Sequence, residues 1–243
     1  MTLALSPAML ACRAVRLQYA DGTVALEDVT LTLDDGIVGL VGANGAGKTS
    51  LLRLIGGVIA PSAGEVEIGG RRAPAHRVAR GIGSIPEAAR LPAYLTVAAF
   101  LDGLRRAAGD PTPTAPERQV ADALGVEELA GRNLAALSLG QRRRVELVAA
   151  LIGDPDVLLL DEPTNGLDPL AMAALRRGLL DARRPGRLIV VSSHHLDELQ
   201  RIADWLVLLH AGRVVASEAA GTLLARGDSL EDVFLSVAGA ARG

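Results

Sequence analysis

The sequence predicts an α/β fold with a mostly parallel sheet, an N-terminal antiparallel β lobe and a helical insertion. Three observations carry this reading. Residues 11–33 alternate apolar and polar in strand fashion, with Asp21-Gly22 and Asp35-Gly36 supplying turns. Two short, continuously apolar runs, Val157–Leu160 and Leu188–Val191, are separated by a helical stretch. Strands alternating with helices belong to a mostly parallel sheet covered on both faces. Residues 88–153 read as mostly helical and interrupt the α/β pattern. The chain, 1–243, is expected to be a single domain with a helical subdomain at about 88–153.

In the first segment, Val15, Leu17 and Tyr19 fall on one face, and Val29, Leu31 and Leu33 share a face of the next run. The apolar run Ile37–Val41 leads into Gly42-Ala43-Asn44-Gly45-Ala46-Gly47-Lys48-Thr49, followed by Leu51-Leu52-Arg53-Leu54-Ile55. G-x-x-x-x-G-K-[ST] between a strand and a helix is a phosphate-binding loop. Its glycines turn successive N–H groups inward around an anion, and the helix start adds its unpaired amides and positive dipole end. Thr49 can offer a hydroxyl to Mg²⁺. Of 25 basic residues, 24 are arginine, and Lys48 is the only lysine. The loop needs a compact charge on a flexible stem, which a planar guanidinium replaces badly. The fold class is therefore a phosphate-loop NTPase core carrying the β lobe and the insertion.

Further along, Gly64–Gly70 reads as a short exposed strand and Gly81–Glu87 as a short strand stopped by Pro86. Helices are expected over Thr96–Ala108 and Pro116–Leu124, with a Pro-rich loop at 109–116 between them. Then come a strand at Asp156–Asp161, a helix at Pro169–Arg184 and a strand at Arg187–Ser192. A helix from about His195, strands near 205–210 and 213–217, and two short helices complete the chain.

Composition narrows the function. With 49% hydrophobic and 22% charged residues the 243-residue chain is globular and able to bury a sizeable core. A net charge of −3 gives no reason to expect nucleic acid as the main partner. Cys12 is the one cysteine, so no intrachain disulfide can form and a reducing compartment is expected. No basic segment precedes an apolar stretch at the N-terminus, so no signal peptide is expected. No run approaches the ~18 apolar residues of a membrane span, so any membrane part belongs to another chain. His76 and His210 have no metal-ligand spacing with each other or with Cys12.

A phosphate loop alone fits a kinase, a GTPase or a motor. The strand ending in Asp161-Glu162 narrows the choice. An aspartate at the mouth of a central strand holds the Mg²⁺ shell in phosphate-loop ATPases, and the adjacent Glu162 can polarise an attacking water. Upstream, Leu137-Ser138-Leu139-Gly140-Gln141 opens an amphipathic helix, with Ser138 as a plausible cap standing 23 residues before Asp161. Arg142, Arg143 and Arg144 follow and read as a solvated or phosphate-adjacent face.

This series, continued by Asp161-Glu162-Pro163-Thr164-Asn165-Gly166-Leu167-Asp168, closely resembles the ATP-binding subunits of ABC transporters. The resemblance covers essentially the whole chain in order and spacing. It implies ATP and Mg²⁺ as cofactors. Gly42, Asn44, Gly45, Gly47, Lys48, Thr49 and Ser50 then form the Walker A contacts, and Val157–Asp161 the Walker B strand. Leu137–Gln141 is the family signature, with Ser138, Gly140 and Gln141 expected at the nucleotide and Leu139 where the family normally has glycine. Tyr19 falls at the adenine-stacking position; its other reading is a core aromatic in a strand. Asn165–Asp168 matches the loop that crosses between subunits, and His194 (rather than His195) the switch histidine. Glu87 stands where the family generally has glutamine, and with Thr49 and Asp161 it is expected at the metal. Glu162, His194 and Lys48 are the expected catalytic residues.

The resemblance also implies two ATPs shared across a head-to-tail dimer, expected as a homodimer, and a separate transmembrane permease met near Arg90–Phe100. The location implied is the cytoplasmic face of the cell membrane. The ending Ser229-Leu230-Glu231-Asp232-Val233-Phe234-Leu235 is similar to that of drug- and antibiotic-exporter ATPases and favours export. The alternatives are a soluble ABC-type ATPase acting on ribosomes or DNA, and a non-hydrolysing regulatory module.

Overall fold

The computed structural model describes residues 9–73, 81–87, 89–194, 196–225 and 232. Two sheets organise them. An antiparallel sheet has the order β2-β1-β4-β5, from β1 (Leu10–Gln18), β2 (Val24–Leu33), β4 (Ala63–Ile68) and β5 (Arg71–Arg72). A six-stranded sheet has the order β10-β9-β3-β8-β7-β6. Its strands are β3 (Gly36–Val41), β6 (Gly83–Ile85), β7 (Val157–Asp161), β8 (Leu188–Ser192), β9 (Trp205–His210) and β10 (Arg213–Ala219). Every pairing from β9 to β6 is parallel, and only β10 runs antiparallel to its neighbour. The mostly parallel sheet and the N-terminal β lobe are thus as expected.

The continuously apolar strands follow from burial on both faces. In β3, Ile37 and Val41 enter one core while Val38 and Leu40 enter the other. β7 divides its residues the same way, Leu158 and Leu160 against Val157 and Leu159. One core lies under the antiparallel sheet and takes Leu51 and Leu54 from α1 (Lys48–Ile55). The other lies under the remaining helices, with Val145, Leu175 and Leu199. Each fully buried side chain of this kind contributes about 1.5–3 kcal/mol.

The β lobe departs from simple alternation. Leu10 and Cys12 are buried, and so are Val15 and Leu17, which have the opposite parity. The register shifts between Cys12 and Val15, where Ala14 has φ 47. In β2, Leu26 and Val29 change parity across Asp28 at φ 53. One extra residue in each strand moves the side chains to the other face, as a β-bulge does. The segment expected as an exposed strand is half-buried instead: Val66 and Ile68 are inside because β4 pairs with β1 and covers the core.

Between β6 and β7 lie α2 (Val97–Ala108), α3 (Ala115–Ala123) and α4 (Leu139–Leu151), with 3₁₀ turns at Glu127–Leu129 and Leu134–Ala136. Thr96 and Thr114 cap α2 and α3 with their side chains, so α3 begins one residue before Pro116. Buried Glu117 of α3 accepts from Arg105 Nε of α2 at 2.8 Å. After β7, α5 (Pro169–Asp181) ends three residues earlier than expected. The released turn places Arg187, fully buried, where it donates to Ala182 O at 2.7 Å and Pro155 O at 2.9 Å and pairs with Asp154. Burial, and secondarily Arg184, pushes the Arg187 pKa down, and Asp154 opposes the fall. The chain continues through α6 (Leu196–Ile202) and, after β10, α7 (Ala220–Leu224). His76, His195 and the expected last helix lie outside the described residues.

Burial pushes the Cys12 thiol up to about 12. Iodoacetamide at pH 8 is therefore expected to leave Cys12 unmodified in the folded chain and to label it on unfolding; rapid labelling of the native state would contradict the burial. The unfolded thiol ionises at about 8.5. The folded state holds the proton longer, so this group's contribution to stability is lost as pH rises above that value.

Candidate active site

Parallel strands bring their carboxyl ends to one edge of the sheet, where ligands of open α/β sheets bind. Here the edge carries Gly42–Lys48 after β3, Asp161-Glu162 at the end of β7 and Ser192–His194 at the end of β8. Gly42 and Gly47 allow the close approach: an added Cβ would lie 2.6 Å from Leu209 O and 2.6 Å from Ala25 O, respectively. Gly47 is also the N-cap of α1, at φ 105. α1 has no side-chain cap and no acid in its first turn, which leaves its dipole end available to an anion.

Lys48 is only 7% exposed. Its Nζ donates to Gly42 O at 2.7 Å and Ala43 O at 3.4 Å, and stands 3.5 Å from Glu162 Oε1. Glu162 in turn accepts from the backbone N–H of His194 at 3.2 Å and lies 2.8 Å from His194 Nδ1. The carboxylate therefore bridges Lys48 and His194. Glu162 has φ 48, a strained value for a non-glycine residue. It is held there because its N–H donates to both Ser192 O (3.1 Å) and Ser192 Oγ (2.9 Å). The Ser192 hydroxyl donates to Asp161 Oδ1 at 2.6 Å. Ser192 thus fixes both acids, a role the sequence reading missed. The signal available was its place at the end of the strand that neighbours Asp161 in register.

A cavity of about 410 Å³ opens over the loop, lined by Asn44–Ser50, Glu87, Glu162, Asn165 and His194. Thr23, Val24 and Ala25 also line it, again without warning from the sequence. Such a volume suits a nucleotide-sized ligand. A smaller cavity of about 200 Å³ adjoins it and gathers Thr49, Glu87 and Asp161. Among the described residues no cluster of three His, Cys, Asp or Glu could hold a metal alone. One hydroxyl and two carboxylates fit Mg²⁺, which keeps waters and phosphate oxygens among its ligands.

The structure does not bring every expected residue into this cavity. Tyr19 lies just past β1; its hydroxyl is 3.0 Å from Ser50 Oγ and its ring packs on the core under the β lobe. Ser138, Gly140 and Gln141 are elsewhere, at the exposed start of α4. There Ser138 Oγ accepts from Gln141 N–H at 3.2 Å, and Gln141 Oε1 accepts from Ser138 N–H and Arg132 Nη1, both at 3.1 Å. This capping box accounts for a serine and a glutamine three residues apart at the start of this helix. The arginine run is not a solvated face. Arg143 is buried, Arg142 and Arg144 are partly so, and Arg144 Nη1 donates to Leu124 O at 3.3 Å.

The sequence profile of the ABC transporter family matches residues 26–165. This chain belongs to the ABC transporter family. Its relatives include the nickel import ATP-binding protein NikO of Rhodobacter capsulatus, 40% identical over 86% of this chain and 89% of that protein. The Nod factor export ATP-binding protein I of Ralstonia nicotianae is 34% identical over 87% of this chain and 67% of that one. The molybdenum import ATP-binding protein ModC of Brucella abortus is 36% identical, and the match spans only 60% of its length. A solved ATP-binding subunit of an ABC transporter superposes with a TM-score of 0.80 at 29% identity, over 94% of this chain and 99% of that one. CbiO1 of Clostridium perfringens, at 23% identity and a TM-score of 0.76 over 90% of this chain and 91% of that one, shares the fold. As an ABC-type ATP-binding chain the protein is an ATPase. The drug-exporter type is not supported, because the relatives' names divide between export and import. The ending that suggested export lies, apart from Asp232, outside the described residues.

Lys48→Arg tests the fit of the ammonium. The guanidinium cannot occupy a slot bounded by two loop carbonyls and Glu162, so binding of a fluorescent ATP analogue or hydrolysis should fall about tenfold or more. Near-normal values of both would show that charge alone suffices.

Proposed function

We propose that this chain is the ATP-hydrolysing subunit of a transporter, acting as a head-to-tail dimer on a separate membrane permease. The observation that carries the reading is the division of the anion-binding machinery. The loop with Lys48, Glu162 and His194 forms one half at the sheet edge, while Ser138–Gln141 offers a capped, exposed helix start away from it. A second copy supplies the missing half to each loop. In that arrangement the ATP phosphates replace the Gly42 and Ala43 carbonyls and Glu162 as partners of Lys48. Glu162, still oriented by Ser192 and His194, is then free to position water for in-line attack on the γ-phosphorus. Lys48 and His194 stabilise the charge that develops. Thr49 and Asp161, with Glu87 as a metal or water contact, would hold Mg²⁺, which would supply positive charge to the phosphate oxygens.

Among the described residues no helix is long and apolar enough to cross a membrane. In this reading the membrane path belongs to another chain, and this one acts at the membrane's cytoplasmic face. A groove of about 800 Å³ between β6 and the helical insertion, lined by Ile82, Leu91, Phe100 and Leu104, suits a permease segment. Tyr94, three residues past Leu91 in the sequence, is 82% exposed, an aromatic side chain with little covering it. The names of the relatives favour transport over a ribosome- or DNA-associated role.

Glu162→Gln keeps the shape of the side chain and removes the base. In ATP it should form a dimer by light scattering, with phosphate release reduced about a hundredfold or more. A variant that stays monomeric in ATP would rule out the shared site. Glu87→Gln, assayed with the permease present, should change the ATPase rate or its coupling; no change in either would remove Glu87 from the site.

A further inference from the structure

Arg143 sits in the second turn of the helix that starts at Ser138, yet it is directed inward and is 5% exposed. Its Nη2 donates to the Glu87 carbonyl at 2.7 Å, and its Nη1 donates to the Pro86 carbonyl at 3.3 Å and to Glu146 Oε2 at 2.7 Å. Those two carbonyls belong to the segment just past β6, a strand of three residues that ends where Pro86 removes an N–H. The chain there leaves the sheet, and Arg143 supplies donors that the sheet cannot. Glu87, whose backbone is held in this way, lines both the cavity over the phosphate loop and the smaller one with Thr49 and Asp161. Glu146, buried and paired with Arg143, lines the groove between β6 and the helical insertion, which Pro86 also lines.

We propose that Arg143 is a positioning residue for the ATPase reaction, acting by clamping the Pro86-Glu87 backbone so that the Glu87 carboxylate stands at the Thr49–Asp161 cavity. The residue type suits the task. A guanidinium presents five donors in a rigid fork, enough to hold two carbonyls and a carboxylate together; an ammonium is a single point. Stability alone does not account for the pair. Burial pushes the Glu146 pKa up against the pull of Arg143, and buried ion pairs are often replaceable by apolar residues without loss of stability. What such a replacement removes is the clamp. The inference rests on Glu87 acting at the nucleotide site.

The test uses Arg143→Met combined with Glu146→Leu, so that no charge is left buried and alone, together with Glu87→Ala and the triple variant. The melting temperature of the double variant is expected to stay close to the parent's. Its kcat should fall about tenfold with KM for ATP nearly unchanged, the scale on which partners that orient a site residue act. The Mg²⁺ concentration needed for half-maximal binding of a fluorescent ATP analogue should rise by about the same factor. The triple variant should be no worse than Glu87→Ala alone, because the two changes break one chain of action. Normal turnover and Mg²⁺ dependence in the double variant, with Glu87→Ala impaired, would overturn the inference alone. A Glu87→Ala variant with normal turnover and Mg²⁺ dependence would overturn the Glu87 reading and the inference with it. Multiplying losses in the triple variant would show that Arg143 acts by another route and would overturn it too. If the double variant melts too low to assay, Arg143→Lys keeps the charge facing Glu146 without the fork and should show the same lower kcat and higher Mg²⁺ requirement; normal values in it would overturn the inference.

Discussion

The arrangement at the sheet edge depends on one buried ammonium. Lys48 is almost without solvent, and a charge so placed must be paired. Its partners are two carbonyls of its own loop and Glu162 from β7. This contact ties the start of α1 to the ends of β3 and β7, and through Glu162 to His194 after β8. Three parallel strands are thereby referenced to one point. The contact also sets the terms of ATP binding. In the proposed mechanism phosphate oxygens displace the carbonyls and Glu162 from Lys48, so that binding and the freeing of Glu162 are one event.

The sheet was legible because its physics is written locally. A strand buried on both faces must be apolar throughout, and β3, β7, β8 and β9 are nearly so, which is why these four stand out in the sequence. The β lobe was legible only in outline. Its alternation switches parity at Ala14 and Asp28, where the backbone takes positive φ. Neither residue announces a bulge, since the reason lies in the register of the partner strand. The half-burial of β4 was hidden for the same kind of reason: it depends on what packs over the strand, not on its own composition.

The site divides along the same line. The phosphate loop, Asp161-Glu162 and the capping box at Ser138 are contiguous motifs, each with a local chemical reason for its spacing. Ser192 and Arg143 have no such signature. Ser192 matters because β8 lies in register beside β7, and Arg143 because α4 packs over the end of β6. A run of three arginines looks like a charged surface until the packing shows that the middle one points in. Residues that orient other residues are chosen by the tertiary structure and are read from it.

The departure from the family pattern at Leu139 illustrates the difference. In sequence it is a glycine lost from a signature, with its backbone amide unaffected. In the structure the side chain is 44% exposed and lies over Gly166, so close that a Cβ on Gly166 would stand 2.7 Å from Leu139 Cδ2. Gly166 also has φ 72, which a side chain tolerates poorly. The leucine and the glycine therefore constrain each other. The start of α4 is packed onto the loop that leads from Glu162 to the Asp168 cap of α5. A glycine at 139 would leave that contact unmade, with Gly140 still close to Leu167 and Ala171. With leucine there, a displacement of the Asn165–Asp168 loop must be transmitted to the capped helix start or must break an apolar contact.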